Sequence, residues 1–77
     1  LLVKFKLEVG RSDEDLLAIA ERSRQQSQAD LMVANTLEGA SQWAFLGPLA
    51  TGYERVTRAD LARRLLEEIE RRLSQEN

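Results

Sequence analysis

The 77-residue sequence predicts a three-layer α/β fold with the element order β-α-β-β-β-α, and two stretches carry that prediction. Residues 1–9 alternate apolar and mostly charged side chains, which is the period of a strand with one covered face. Residues 31–34 are all apolar, and so short a run is typical of a strand buried on both faces. A helical pattern lies between them, so we expect a right-handed βαβ unit with two parallel strands.

The first strand is predicted over residues 1–9, and its apolar side chains share one face. They are Leu1, Val3, Phe5, Leu7 and Val9. The other face is mostly charged, and such a face is solvated more often than it lines a polar site. On this pattern alone, Phe5 is a core residue.

The first helix is predicted over residues 13–28. Ser12 and Asp15 have the spacing of a capping box, in which the Ser12 hydroxyl accepts a hydrogen bond from the first turn. The apolar side chains recur at helical spacing at Leu16, Ile19 and Ala20. Residues 21–28 carry almost no apolar side chain, so this half is either solvated or contacts a ligand or another domain.

The buried strand ends at Asn35, which is the first candidate binding residue. In open α/β sheets, ligands bind beyond the carboxyl ends of the strands. An asparagine there offers two hydrogen-bond donors and an acceptor. The carboxyl ends of the two parallel strands, near residues 9–11 and 35–37, should open on the same side of the sheet.

The next segment predicts two short strands, over residues 43–46 and 53–56, with turns rich in Gly, Pro and Ser around them. This pattern indicates a hairpin or an excursion at the sheet edge. Trp43 and Phe45 alternate with smaller neighbours, so both rings should cover one face. A dimer contact through these rings is the alternative.

The last helix is predicted to begin after the N-cap Thr57 and to run to about Ser74. Its expected buried stripe consists of Leu61, Leu65, Ile69 and Leu73, widened by Ala62 and Leu66. Its expected ion pairs are Asp60 with Arg64, Glu67 with Arg71, and Glu68 with Arg72.

Composition excludes several chemistries. The sequence has no Cys and no His, which removes thiol nucleophiles, disulfides, His-assisted serine catalysis and His- or Cys-ligated metal sites. The glycines do not form a phosphate-binding fingerprint, and capping or ion pairing accounts for the clustered carboxylates. We therefore expect neither a catalytic residue nor a metal site in these 77 residues.

The net charge and the hydropathy of the sequence limit the partners and the location that we expect. A net charge of -2 gives no field that would attract nucleic acid or an acidic membrane. The apolar runs are too short to cross a bilayer, so we expect a cytoplasmic protein. The sequence begins inside a strand pattern without an initiator Met, which predicts a piece of a longer polypeptide.

Two sequence motifs resemble the C-terminal part of phosphopantothenoylcysteine synthetase, the ligase of coenzyme A biosynthesis. They are Phe5-Lys6-Leu7-Glu8 and, some thirty residues later, Ala29-Asp30-Leu31-Met32-Val33-Ala34-Asn35. The similarity extends over essentially the whole chain, including a last helix that opens with Thr-x-x-Asp. In many bacteria this ligase is fused to a flavin-dependent decarboxylase.

The resemblance implies a Rossmann-like fold and a nucleotide site. On this view residues 1–77 are a single domain, the C-terminal portion of a larger ligase domain that uses CTP or ATP with Mg²⁺. The ligase converts 4'-phosphopantothenate to an acyl nucleotidylate, which cysteine then attacks. FMN belongs only to a fused decarboxylase. The family's nucleotide-holding Phe and Asn match Phe5 and Asn35 here.

The chain departs from the family on its first helix. Bacterial CTP-using members commonly carry lysines there that reach the triphosphate, whereas this chain offers Arg22, Ser23 and Ser27. Arg22 is the best substitute, because a guanidinium binds phosphate oxygens in bidentate fashion. The choice between CTP and ATP stays open. The family's glycine-rich loop, substrate-binding Asn and dimer segment would precede Leu1, so we expect the missing N-terminal portion as a partner, and a homodimer.

Two alternatives remain from the residues themselves. One is a non-catalytic interaction module, in which the face with Lys4 and Lys6 and the region of Trp43 dock a partner. The other is a nucleotide-binding regulatory domain, which shares the crevice but lacks the chemistry. The 77 residues alone do not decide whether this chain is an enzyme.

Overall fold

The computed structural model describes residues 1–75, in which one mixed sheet lies between two helices. The elements are β1 (Val3–Glu8), α1 (Asp13–Ser27), β2 (Leu31–Thr36), β3 (Trp43–Leu49), β4 (Gly52–Thr57) and α2 (Arg58–Gln75). The strands are ordered β1-β2-β3-β4 across the sheet. β1 and β2 are parallel, whereas β3 is antiparallel to both of its neighbours. The predicted α/β class, element order and parallel pair are confirmed.

β2 is the central strand of this arrangement and is covered on both faces. It pairs with β1 in a register that places Phe5 opposite Val33 and Leu7 opposite Asn35. Leu31, Met32 and Ala34 are fully buried. Because successive side chains of a strand point to opposite faces, even-numbered and odd-numbered residues of β2 meet different helices.

The two faces of the sheet have separate cores. On the α1 side, Met32 and Ala34 of β2 pack with Leu16, Ala20 and Phe45. The rings of Trp43 and Phe45 lie edge to face on this side, with centroids 5.3 Å apart, so the prediction that both aromatics cover one face is confirmed. On the α2 side the buried residues are Val33, Ala44, Leu46, Val56 and Leu61. The fold therefore has the predicted three layers.

The hairpin differs from the prediction in its extent. β3 continues through the cis Gly47–Pro48 peptide bond to Leu49, although Gly and Pro were expected to end it at Leu46. A register shift between Leu46 and Leu49 accommodates these residues. The hairpin also does not lie wholly at the sheet edge, because β3 is an inner strand.

The helix α2 is less buried than its apolar pattern predicted. Leu61 is buried, but Leu66 and Leu73 are exposed, so the apolar stripe of α2 is only partly covered by β3 and β4 within residues 1–75. Of the three expected ion pairs only Glu68 with Arg72 forms among residues 1–75. Arg64 instead reaches across to Glu54 of β4, and Arg71 pairs with Glu68 at i,i+3.

The loops at the carboxyl ends of β1 and β2 are tied together. The backbone N–H of Leu37 donates to the carbonyl of Glu8, and the N–H of Gly10 donates to the carboxylate of Glu38. Gly39 follows, and a Cβ atom there would clash with the Trp43 ring, so the loop favours glycine at this position.

Within residues 1–75 no helix is both long and apolar enough to cross a membrane.

Arg72 connects the end of α2 to Asp30, immediately before β2, and to Pro48 of β3. We therefore expect its removal to destabilise the fold more than removal of Arg63, an exposed arginine of the same helix. The Arg72 guanidinium donates to the carbonyls of Asp30 and Pro48 and to the carboxylate of Glu68. Its side chain is 23% exposed, whereas Arg63, which pairs only with carboxylates of its own helix among the described residues, is 58% exposed.

We expect Arg72→Ala to lower the free energy of unfolding by about 1 to 3 kcal/mol, since it removes the side-chain donor to two backbone carbonyls and one of the two arginines that bind Glu68. Arg63→Ala should lower it by less than about 1 kcal/mol, because exposed ion pairs contribute little. Urea titrations of the two variants measure the difference. Equal losses would contradict the bridging role of Arg72.

Candidate functional site

A surface pocket of about 280 Å³ lies between β1 and the first turns of α2. It is lined by Phe5, Arg58, Leu61, Ala62 and Leu65. Phe5 is 65% exposed, so its prediction as a core residue from the strand pattern alone is wrong. The reason is topological: among residues 1–75, β1 is an edge strand, and α2 packs over β3 and β4 instead.

Asn35 lies on the same face of the sheet as Phe5. It is opposite Leu7 in the register, two residues beyond the Phe5–Val33 pair towards the carboxyl ends of the strands. At the rise of a β-strand this separation is about 7 Å along the strand direction. The side chain of Asn35 is partly exposed. The structure therefore brings the predicted ring and carboxamide to one surface.

The candidates on α1 lie elsewhere. α1 packs through Leu16 and Ala20 on the opposite face of the sheet. The Ser27 hydroxyl accepts a hydrogen bond of 3.2 Å from the amine of Lys4, near the amino end of β1. Arg22 and Ser23 belong to the same half of the helix, and Arg22 is exposed. These three residues do not share a face with Phe5 and Asn35, and their predicted contact with a nucleotide stays a prediction.

Polar side chains of α1 form a cluster with a tyrosine of the β3–β4 hairpin. The hydroxyl of Tyr53 donates to the carboxylate of Glu21 at 2.9 Å, and the Arg24 guanidinium binds the same carboxylate with two donors. The hydrogen bonds from Arg24 lower the pKa of Glu21 to about 2. Burial, together with the Glu21 carboxylate, raises the pKa of Tyr53. The cluster fixes β4 against α1.

Arg58 is the pocket residue that the sequence analysis missed. Two lysines and nine arginines make up the 11 basic residues of the chain. Seven of these arginines lie within 4.0 Å of a carboxylate among residues 1–75, namely Arg11, Arg24, Arg55, Arg63, Arg64, Arg71 and Arg72. Arg22 and Arg58 do not. What the sequence does not show is that Arg58 lies beside Phe5, because that position depends on where the first turns of α2 pack.

The chain is similar in sequence and in fold to known proteins. The chain is 38% identical to the coenzyme A biosynthesis bifunctional protein CoaBC of Thermococcus kodakarensis, in an alignment that covers 94% of the chain. It superimposes with a TM-score of 0.80 on the DNA/pantothenate metabolism flavoprotein of Streptococcus pneumoniae, at 36% identity over 90% of the chain. The chain is homologous to part of each of these two proteins.

The homology covers a limited share of each relative. The chain spans 19% of the length of the Thermococcus protein and 33% of the crystallised Streptococcus chain. No protein-family model matches the sequence. The resemblance inferred from the two strand motifs, and the Rossmann-like character of the fragment, are confirmed by these two relatives.

The carboxylates of residues 1–75 are the side chains to consider as metal ligands, since the chain has no Cys and no His. Among residues 1–75, no group of three or more carboxylates could hold a metal ion. The carboxylates near the pocket have other partners, since Asp60 pairs with Arg63 and Glu54 with Arg64.

The Glu21 cluster predicts a specific acid sensitivity. The pKa of Glu21 in the fold, about 2, is below its ordinary value of 4.5, so its stabilisation is complete above pH 4.5 and is lost as the pH falls towards 2. The side chain is 32% exposed, which limits the effect of Glu21→Gln at neutral pH to about 1 to 2 kcal/mol.

Urea titrations between pH 7 and pH 2 measure this prediction. The difference in stability between Glu21→Gln and the unaltered protein should shrink over the lower half of that range. Glu68 titrates in the same range, so the variant still loses some stability. Glu70→Gln, an exposed exchange of the same type on α2, is the control. A constant difference down to pH 2 would contradict the assignment.

Proposed function

We propose that this chain forms the nucleotide-side portion of a phosphopantothenate-cysteine ligase that acts in coenzyme A biosynthesis. The observation that carries the proposal is the shared face of Phe5 and Asn35 on the parallel strand pair. The homology supports it, because one relative is named as a coenzyme A biosynthesis protein and the other as a pantothenate-metabolism flavoprotein. CTP or ATP is the proposed co-substrate.

The chemical requirement of this reaction is activation of a carboxylate. The carboxylate of 4'-phosphopantothenate attacks the α-phosphorus of CTP or ATP, which gives an acyl nucleotidylate and releases pyrophosphate. The amine of cysteine then attacks the acyl carbon, so that an amide forms and the nucleoside monophosphate leaves. In this scheme the present chain binds and orients. The exposed ring of Phe5 provides a flat apolar wall for the nucleotide, and the amide of Asn35 hydrogen-bonds to neutral sugar or base groups.

The rest of the catalytic apparatus belongs to the remainder of the ligase domain. β1 pairs on one side only within residues 1–75, and Leu1, Leu2, Leu7 and Val9 are exposed on or beside it. Exposed apolar side chains on an edge strand favour coverage by another part of the polypeptide. We propose that the N-terminal portion of the same domain supplies this cover, along with the groups that hold Mg²⁺ with the nucleotide phosphates.

The same proposal leads to expectations about cellular location, oligomeric state and FMN. A ligase of this pathway is expected to be cytoplasmic and homodimeric. FMN is implied only for a protein in which a decarboxylase is fused to the ligase. We propose no contact between residues 1–75 and FMN.

The exposed apolar surface also favours a second candidate, a non-catalytic interaction module. In this alternative the same side chains of β1 dock a partner protein, and Asn35, one residue before the end of β2, only caps the turn that follows. The two candidates differ in whether Phe5 and Asn35 contribute to nucleotide affinity.

Calorimetric titration of CTP and ATP into the full-length protein distinguishes the two candidate functions. We expect Asn35→Ala and Phe5→Ala each to weaken nucleotide binding by about 1 to 3 kcal/mol, because each removes a partner from the bound nucleotide. Leu66→Ala is the matched control, since Leu66 is similarly exposed but lies outside the pocket.

The outcomes are distinct. Nucleotide binding that is unchanged in both variants would contradict the proposed site and favour the interaction module. A full-length protein that binds neither CTP nor ATP would contradict the ligase proposal itself.

A further inference from the structure

The loops that follow β1 and β2 are joined by one side chain, the carboxylate of Glu38. It accepts a hydrogen bond of 3.0 Å from the N–H of Gly10, which lies 28 residues earlier in the sequence. Gly10 follows β1 and Glu38 follows β2, so the bond connects the carboxyl ends of the two parallel strands. Ligands of open α/β sheets bind at these ends. The contact therefore lies at the end of the sheet where Asn35 is the candidate binding residue.

The partners of the Glu38 carboxylate are N–H groups and a hydroxyl. Hydrogen bonds from its own backbone N–H and from that of Gly10 lower the pKa of this carboxyl, and the Thr36 hydroxyl has the same effect. Arg11, the basic residue next to Gly10, pairs with Glu8 instead. The carboxylate of Glu38 thus ties backbone segments together.

The loop after β1 depends on such hydrogen bonds. Gly10 has a φ of 67°, in the left-handed region, and it is exposed. A Cβ atom at this position would meet nothing within 4 Å, so the surroundings of Gly10 are open. The contacts across to the next loop are the bond from the N–H of Leu37 to the carbonyl of Glu8, at 2.8 Å, and the bond from Gly10 to Glu38.

The Glu38 contact continues the register of the strand pair beyond its last backbone partners. Asn35 is opposite Leu7 in that register, and Glu38 and Gly10 each lie three residues further along their strands. The side chain of Glu38 thus holds together the two chain segments that leave the Leu7–Asn35 pair.

We propose that Glu38 is a positioning residue for the nucleotide site, which holds the end of β2 in place and thereby orients the amide of Asn35. This inference rests on the proposed function, because the role of Asn35 as a nucleotide ligand is proposed there. Hydrogen bonds depend steeply on geometry, so a shift of about 1 Å removes most of the contribution of such an amide.

The charge of Glu38 acts on a nucleotide in the opposite direction. A carboxylate near a triphosphate repels it, although salt screens the repulsion for an exposed group such as Glu38. If charge were the only effect, removal of Glu38 would strengthen nucleotide binding. If Glu38 holds Asn35 in place, its removal weakens binding. The sign of the change therefore distinguishes the two roles.

The experiment measures nucleotide binding and turnover in the full-length protein with Glu38→Ala, Glu38→Gln and Glu14→Ala. We expect Glu38→Ala to raise the Kd and the KM for CTP or ATP about 3- to 10-fold, with a smaller effect on kcat. Glu38→Gln should stay within about twofold of the unaltered protein, because its amide oxygen still accepts from Gly10. Glu14→Ala is the control, since it removes one exposed negative charge from the first turn of α1, at the same end of the sheet.

A double variant tests whether Glu38 acts through Asn35. Asn35→Ala removes the amide, so Glu38→Ala added to it should weaken binding further by less than about twofold. A general effect on the fold would give the same loss with and without Asn35. Thermal unfolding of each variant shows whether the fold is intact.

Three results would overturn the inference. The first is nucleotide binding that is unchanged or tighter in Glu38→Ala, including the case in which only its unfolding temperature falls. The second is an equal loss of affinity in Glu38→Gln or in Glu14→Ala. The third is a loss in Glu38→Ala that is just as large in the Asn35→Ala background. If the unaltered protein binds neither CTP nor ATP, the proposed function itself fails, and that result is distinct because it involves no variant.

Discussion

The structure depends on the position of β2, which pairs with a strand on each side and is packed against a helix on each face. A shift of one residue in its register would exchange the side chains of the two cores, replacing Met32 and Ala34 by Val33 and Asn35 beneath α1. The buried surface on both faces therefore determines the register. The same register places Phe5 and Asn35 on one face and the Lys4–Ser27 contact on the other.

Polar contacts add to a core that is small. Each helix is held to the sheet by a short apolar cluster, and a charged network fixes its orientation: Glu21 with Tyr53 and Arg24 on one face, and Arg64 with Glu54 on the other. A chain of this size buries about 60% of its unfolded surface, so contributions of 1 to 2 kcal/mol are a large part of its stability. Coverage of β1 by further polypeptide would add to them.

The sequence was sufficient for the elements and their order because each has a strong local pattern. The four apolar residues before Asn35 indicated a strand with two covered faces, and the crossover rule then made β1 and β2 parallel. Alternation along β1 showed which side chains share a face, but it did not show that the face would be left open. The exposure of Phe5 follows from β1 being an edge strand and from where α2 packs, and both are tertiary facts.

The site was predictable to a similar extent. Asn35 followed from the strand end, and Phe5 as a nucleotide contact came only from the resemblance. The position of Arg58 beside Phe5 had no local signal, because it depends on where the first turns of α2 lie. The pairing of Arg64 with Glu54 was missed for the same reason, because Glu54 lies on β4 and helical spacing shows only partners within the same helix.

The central claim is that the nucleotide lies on the α2 face of the sheet. The most direct measurement is a crystal structure of the full-length protein with bound CTP or ATP. The account predicts ligand density between Phe5 and the first turns of α2, with the sugar or base near Asn35. Ligand density that contacts neither Phe5 nor Asn35, or a pocket filled by another segment of the polypeptide, would contradict it.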